Sequence, residues 1–365
     1  MEEKKKAEAR FVGIDLGKRA YEVAIVGKGG KVAMSNGKTF VAGRQKLYQK
    51  LRPSDKVALE AGNMAFIIAK EIEAAVGCTV YVLNPSHLAL IYGSMKKTDK
   101  EDSLKLAHIL EDYKEERLPV VPVPSDKEMG RRKILASYRR AQQSRNREIN
   151  QLHGLFVAQG ITTKVRSDLC EHESRMEAIR ELKGTEREEA EYLLAILKLA
   201  EQRIEALEKQ MKEESAGDEV IQRLQNTPGV GPKTSFAYVA HVAADRFENA
   251  HQVSNFLGLV PRVYMSGDTV RYGRITKRGN GYLRALLVQA AWAVTNSRNG
   301  GKLKERYEYM TKEKSISKKK AIVAIARRLA EELYVLMRDG TTHESRPFMG
   351  NKKGVEKLAQ EAIGA

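Results

Sequence analysis

The chain predicts a mixed α/β N-terminal domain, a helical coiled-coil connector and a mainly α C-terminal domain with a helix-hairpin-helix-like element. Three observations carry this division. Short apolar runs, some alternating and some continuous, occupy residues 11–83. Long amphipathic patterns occupy 127–160 and 186–214. A helix, a Pro-Gly-Val-Gly turn and a second helix open the last third near Asp218.

In chain order, residues 11–27 read as a hairpin. Phe11–Asp15 is the first strand, Leu16-Gly17-Lys18-Arg19 the turn, and Tyr21, Val23 and Ile25 alternate on the second. A third strand is expected over Lys31–Ser35, a buried strand over Val57–Glu60, a helix over Met64–Ala75 and another strand over Cys78–Leu83. A helix headed by Asp99 follows, and the proline-punctuated segment Leu118–Pro124 closes the first domain, 1–125. The connector, 126–217, holds one long helix from Lys127 to Gly160 and a second from Glu186 to Glu214. In the second, Leu193, Leu197, Ala200, Ile204, Leu207 and Met211 are spaced as an a/d seam, which fits pairing within the chain, between chains, or both. The C-terminal domain, 218–345, has helices at Val220–Asn226, Ser235–Ala243, Gln252–Leu257, Gly281–Ala293 and Lys318–Arg338, with a polar loop over Pro261–Asn280. A basic tail, 346–365, is expected to be flexible.

Composition bounds the chemistry. An apolar fraction of 42% supports ordinary cores and excludes global disorder. The formal net charge of +17 favours a polyanionic partner, against the plainer reading of a merely soluble basic protein. That charge is uneven: +4 over 1–128, +7 over 129–165, −7 over 166–220 and +13 over 221–365. Cys78 and Cys170 are too few for a disulfide framework or a zinc site, which fits a reducing compartment. The charged start and the lack of a membrane-spanning run predict a cytoplasmic protein with no membrane partner.

Four carboxylates point to phosphoryl-transfer chemistry. Asp15 and Glu60 each close an apolar strand, and Asp99 and Asp102 lie three apart on the first turn of a helix. A carboxylate at the end of a buried strand needs a compensating cation or hydrogen bonds. Hard oxygen donors of this kind suit Mg2+, with Mn2+ the alternative, and a pair of such ions stabilises the attacking and leaving oxygens of a phosphodiester. The plainer reading of Asp99 and Asp102 is a helix N-terminal cluster stabilised by the macrodipole.

Three basic regions are candidates for nucleic-acid contact. Arg131, Arg132, Arg139, Arg140, Arg145 and Arg147 line the first long helix; the alternative is a solvated face packed on the acidic segment. Gly229 and Gly231 in the Pro-Gly-Val-Gly turn, with Lys233, suit a phosphate at a helix N-terminus. The loop 261–280 carries Arg262, Arg271, Arg274, Lys277 and Arg278, with Arg284 just beyond, around the small hydroxyl of Ser266. Such a serine is a candidate nucleophile or, more plainly, a turn former.

Taken together, Gly13-Ile14-Asp15, Leu59-Glu60, Lys97–Asp102, Thr227–Gly231, Phe256–Pro261, Ser266-Gly267, Gly273–Asn280 and Leu283-Arg284 resemble the DEDD-type insertion-sequence transposases of the IS110 group, to which the Piv/MooV DNA invertases are related. The resemblance spans about residues 11–300. It implies a RuvC-like (RNase H-like) first domain with Asp15, Glu60, Asp99 and Asp102 as magnesium ligands, and Ser266 as the nucleophile of a phosphoserine intermediate. It also implies a structured guide RNA pairing with donor and target DNA, and dimers to tetramers that share active sites between chains. Where members carry two serines before the glycine, this chain has Met265, leaving Ser266 as the candidate. The rival readings are a RuvC-like nuclease using water and a non-catalytic nucleic-acid-binding protein. A sugar-kinase reading of Gly13–Gly17 fails because no second glycine-rich phosphate loop follows.

Overall fold

A computed structural model of the chain describes residues 10–62, 64–91, 98–162, 165–266 and 269–343. The expected tail, 346–365, lies outside the described residues, as do Lys97 and Gly267 of the quoted motifs. The chain divides into two compact units, 1–125 and 126–365.

In the first unit, β1 (Phe11–Leu16), β2 (Ala20–Val26) and β3 (Val32–Lys38) form an antiparallel meander. After α1 (Val41–Tyr48), β4 (Lys56–Glu60) pairs parallel to β1. Helix α2 (Ala65–Val76) then leads to β5 (Thr79–Leu83), parallel to β4, followed by α3 (Pro85–Ile91) and α4 (Asp99–Asp112). The sheet order is β3-β2-β1-β4-β5. Helices α1 and α3 are additions to the sequence reading. The strongly polar stretch of α1 has no clear apolar periodicity, and it is held by burial of Leu47 alone among its large apolar residues.

Strand parity assigns the two faces. Val12, Ile14, Tyr21, Val23, Val57 and Leu59 point to one face and pack with Leu47 of α1 and Ile68 and Ile72 of α2. On the other face the strands present small residues, Gly13, Ala24 and Ala58, and α4 lies over them through Leu106 and Ala107. A Cβ on Gly13 would stand 1.9 Å from the Ser103 carbonyl oxygen and 2.5 Å from the Ala107 nitrogen, so only glycine lets α4 approach β1 this closely.

In the second unit, α5 (Asp126–Ala158) and α7 (Gly184–Ala216) form an antiparallel hairpin, with the short α6 (His172–Ile179) between them. The a/d seam is covered by this chain's own α5. Leu193 and Leu197 cluster with Ile149, Leu152 and Phe156, while Leu207 and Met211 join Ile134, Leu135 and Tyr138. Tyr192, Ile196 and Leu199 stay exposed on the outer side of α7.

The rest of the unit packs onto the open end of that hairpin. Its helices are α8 (Glu219–Gln225), α9 (Pro232–His241), α10 (Ala250–Phe256), α11 (Gly281–Asn296), α12 (Gly301–Glu308) and α13 (Lys318–Asp339). Phe236, Tyr238, Leu283, Leu287, Leu329 and Tyr334 share one core with Ile134 and Leu207 of the hairpin. The expected polar loop over 261–280 is instead a two-stranded ribbon, β6 (Pro261–Ser266) and β7 (Thr269–Ile275). Val263, Tyr264, Val270 and Tyr272 are strand formers, and their signal is hidden among arginines because neither face of the ribbon is buried.

Candidate carboxylate centre and serine ribbon

The other three predicted carboxylates of the first unit lie within electrostatic reach of Asp15. Ile14 pairs with Leu59 in the parallel register of β1 and β4, so Asp15 and Glu60 follow at the C-terminal ends of adjacent strands. By parity both share the face of Gly13 and Ala58, the one α4 covers. Helix α4 begins there: the Thr98 hydroxyl accepts from the Glu101 backbone N–H at 3.3 Å, and Asp99 and Asp102 occupy the first turn.

The electrostatics show that these groups feel one another. Burial, then the negative charges of Asp99, Asp102 and Glu60, push the Asp15 carboxyl up from 3.8 to about 6 against a backbone hydrogen bond at Leu16. The partial counter-charge is Lys105, whose Nζ lies 3.0 Å from Asp102 Oδ1. Among the described residues, no three His, Cys, Asp or Glu side chains are assembled into a metal-holding cage. The set is therefore a shared field of hard oxygen donors, not a closed ligand shell. Its hard oxygen donors and the mutual repulsion that raises Asp15 both fit a divalent cation.

Two residues here escaped the sequence reading. Glu22 is the cross-strand partner of Asp15 and, alternating with inward Tyr21 and Val23, belongs to the same face. Gly13 clears the space for α4. Alternation in β2 was the available signal for Glu22, but the position of α4 over that face was not.

In the second unit Ser266 is the last residue of β6, is exposed, and pairs in register with Thr269. Tyr264 pairs with Arg271 on the serine's face, and a Cβ on Gly273 would stand 3.0 Å from the Tyr264 ring, which fixes that face. Arg271 and, by the alternation of β6, Arg262 are thus ribbon cations on the serine's own side, while a register shift separates Arg274 from that alternation. Arg262, Arg271, Arg274, Lys277 and Arg278 are all exposed. Arg284 is not available in this way. Its Nη1 donates to the carbonyls of Leu257 (3.1 Å) and Arg278 (2.6 Å), so it clamps the segment after the ribbon.

The helix 131–147 divides. Arg131 is only 2% exposed, stacks on Phe236 and donates to Asp218 at 2.6 Å. Arg132 donates to the Ala240 carbonyl at 2.8 Å, and Arg145 bridges Glu201 (3.1 Å) and the Cys170 carbonyl (2.7 Å). Burial takes Arg131 out of reach of a phosphate and so corrects its assignment, while Arg132 and Arg145 are partly buried and tied within the unit. Arg139, Arg140 and Arg147 face solvent, Arg139 over the Tyr282 ring and Arg147 beside Glu148 at 2.7 Å.

In the Pro-Gly-Val-Gly turn the structure corrects Gly229 alone. Gly229 has φ +77°, and a Cβ there would meet Val294 Cγ2 at 2.5 Å and the Ala290 carbonyl at 2.6 Å. It is turned onto α11, not toward a ligand. Lys233 is drawn to Glu208 (2.8 Å) and the Tyr138 hydroxyl (2.5 Å), while Gly231 has open space around its Cα. Packing needs inside the helical unit account for Gly229, and Lys233 is a half-exposed ion pair on that unit.

Comparison with known proteins agrees with both regions. A family model described as "Transposase IS116/IS110/IS902 family" matches residues 221–308, and a transposase model of the IS110 DEDD type matches 12–159. The chain is 28% identical to a probable family 20 transposase of Pseudomonas aeruginosa, over 78% of this chain and 83% of that one. It is 26% identical to the putative transposase y4rJ of Sinorhizobium fredii, over 92% and 93%. A similar 26% relates it to the transposase for insertion sequence element IS1328 of Yersinia enterocolitica, over 77% and 82%. Among the described residues, no helix is long and apolar enough to cross a membrane.

Proposed function

Because this chain belongs to the IS110 family of transposases, enzymes that act on DNA, we propose that it cuts and rejoins DNA strands with Ser266 as nucleophile and Asp15, Glu60, Asp99 and Asp102 as a divalent-cation site. The observation that carries the reading is the convergence of the four carboxylates, expressed in the raised Asp15 carboxyl. The sheet order β3-β2-β1-β4-β5, an antiparallel meander followed by two parallel strands, supports a RuvC-like fold for the first unit.

The chemistry follows from the donors. The Ser266 hydroxyl attacks a backbone phosphorus; a serine O–P bond forms, the strand's P–O bond breaks, and the proton that the serine gives up ends on the departing deoxyribose oxygen. The phosphoserine ester keeps the energy of the broken bond. A hydroxyl from a second DNA strand then displaces Ser266, and the strands are rejoined without ATP. Arg271, on the serine's face, neutralises the phosphate oxygens as charge accumulates there. Asp15, Glu60, Asp99 and Asp102 would hold a divalent cation, Mg2+ or Mn2+, which would supply further charge stabilisation of those oxygens.

Ser266 and the carboxylates belong to different compact units, so the reading requires both to reach the same phosphate. In our reading this happens in a dimer to tetramer assembled on donor and target DNA at the nucleoid. A structured guide RNA is held there by exposed Arg139, Arg140 and Arg147. The exposed Tyr192, Ile196 and Leu199 of α7 support contact between copies.

The test is strand joining with purified protein, DNA and co-purifying RNA. Ser266→Ala is expected to abolish both joining and a protein–DNA adduct, and Asp15→Asn to abolish Mg2+-dependent turnover. Undiminished cleavage by Ser266→Ala would instead establish a water-using nuclease.

A further inference from the structure

At the root of the serine ribbon lies a groove of about 860 Å³ whose residues serve none of the roles above apart from Arg274 and Lys277. Its floor is apolar, formed by Ile275 of β7, Met310 and Ile316 ahead of α13, and Val323 and Ala324 of α13. Its rim is cationic: Arg274 and Lys277 on the ribbon side, Lys319, Lys320, Arg327 and Arg328 on the α13 side. The one carboxylate in the lining, Glu331, is 5% exposed and already accepts from Ser254 (3.0 Å), Arg327 (3.2 Å) and Arg328 (3.5 Å). It fixes two of the arginines in place. Among the described residues, no carboxylate pairs with Arg274, Lys277, Lys319 or Lys320.

An apolar floor under a rim whose Arg274, Lys277, Lys319 and Lys320 pair with no carboxylate among the described residues selects an occupant that is flat and apolar at one end and anionic at the other. A duplex offers its phosphates to such a rim but keeps its bases stacked away from the floor. An unpaired nucleotide satisfies both, with its base on the floor beside Tyr272 and its flanking phosphates on the rim. The volume lies within the usual range for ligand sites, ~300–1,000 Å³. Strand β7 runs from the groove to Thr269, the register partner of Ser266, and the three residues from Tyr272 to Thr269 span about 10 Å. The groove is therefore close enough to Ser266 for one strand to reach both, passing around the ribbon from the face of Tyr272 to that of the serine.

We propose that this groove seats one unpaired nucleotide of the DNA strand on which Ser266 acts. The proposal rests on the reading that Ser266 meets DNA. It adds that the strand is opened beside the ribbon and held by an extruded base.

The test uses the full chain and single-stranded DNA carrying 2-aminopurine at successive positions. Emission is expected to change at one position and to lose that change in Tyr272→Leu. Ala324→Trp fills the floor without altering charge; it should weaken single-strand binding about tenfold, the loss of one stacked base, and leave blunt-duplex affinity unchanged. Lys319→Gln with Lys320→Gln, at exposed positions, should lower the salt slope for single strands by about 1.4. Uniform emission along the strand, an Ala324→Trp effect on neither ligand or equally on both, an unaltered salt slope, or same-sequence RNA binding as tightly as DNA each overturns the proposal. Ser266→Ala keeps the two readings apart. Normal cleavage by that variant with the emission signal intact sinks the nucleophile alone, whereas Ser266-dependent cleavage without the signal sinks the groove alone.

Discussion

Gly13→Ala is the sharpest test of how the carboxylate centre is built. The new Cβ would lie 1.9 Å from the Ser103 carbonyl oxygen, 2.5 Å from the Ala107 nitrogen and 2.9 Å from Leu106 Cβ, where ordinary contact begins at 3.4 Å. The obstacle is helix backbone, so α4 must withdraw from β1 by about 1.5 Å as a body. Asp99 and Asp102 travel with it, away from Asp15 on the strand. Functional groups need placement within about 0.5 Å, so a 1.5 Å retreat is expected to reduce Mg2+-dependent strand cleavage at least about 100-fold. The stability cost of such overpacking is ~1–3 kcal/mol. Cleavage would be followed against Mg2+ concentration, with thermal melting of the same samples. Gly154→Ala, where an added Cβ meets nothing within 4 Å, is the control and should melt no lower than the parent. Gly13→Ala protein that melts and cleaves like the parent would refute the assembly of the centre through the β1–α4 approach.

Three further outcomes follow. With no divalent cation present, Asp15→Asn should raise the melting temperature at about pH 7.5, worth ~1 kcal/mol after solvent screening. Since the folded-state value of about 6 lies above 3.8, the stabilising contribution of Asp15 is complete below pH 3.8 and is lost as pH rises through about 6. The advantage of asparagine should therefore vanish toward pH 4, and Mg2+ should stabilise only the parent; a lower melting temperature for Asp15→Asn at pH 7.5 would contradict this. Asp218 is the opposite case. Burial alone would raise it, but hydrogen bonds from Arg131 and Lys127 and from the Ile221 amide outweigh that and hold it at about 2. Its stabilisation is complete above pH 3.8 and lost as pH falls through about 2, so Asp218→Ala should cost about 3 kcal/mol at neutral pH in urea titrations and flatten the acid limb. Finally, Arg139→Glu with Arg140→Glu should weaken binding of co-purifying RNA and shallow its salt dependence with little change in melting, whereas unchanged affinity would leave this helix face merely solvated.

Much of this protein was legible in the linear chain because its signals are local. The alternation in Tyr21, Val23 and Ile25, the seam from Leu193 to Met211 and the carboxylates closing two apolar runs each arise from periodicity or termination within a few residues. Their order along the chain also carried the family resemblance. The ribbon at 261–275 was read as a loop because a strand pair exposed on both faces has no hydrophobic alternation to betray it. Arginine composition likewise gave no hint of which guanidinium groups turn inward. Arg131 and Arg139 lie on one helix and have the same chemistry, yet Asp218 and Phe236, distant in sequence, bury the first and leave the second exposed.

The sequence by itself singled out the groups that we propose carry the chemistry: four carboxylates at the ends of two strands and on the first turn of a helix, and a serine among cations. Residue type and local spacing suffice for that, because donor hardness and helix or strand termination are local properties. Only the tertiary structure decided that the carboxylates share one field, that Arg271 stands on the serine's face, and that Gly229 and Arg284 hold the helical unit together. Charge repulsion, strand register and backbone approach depend on which distant segments meet, and that is set by packing across the whole unit.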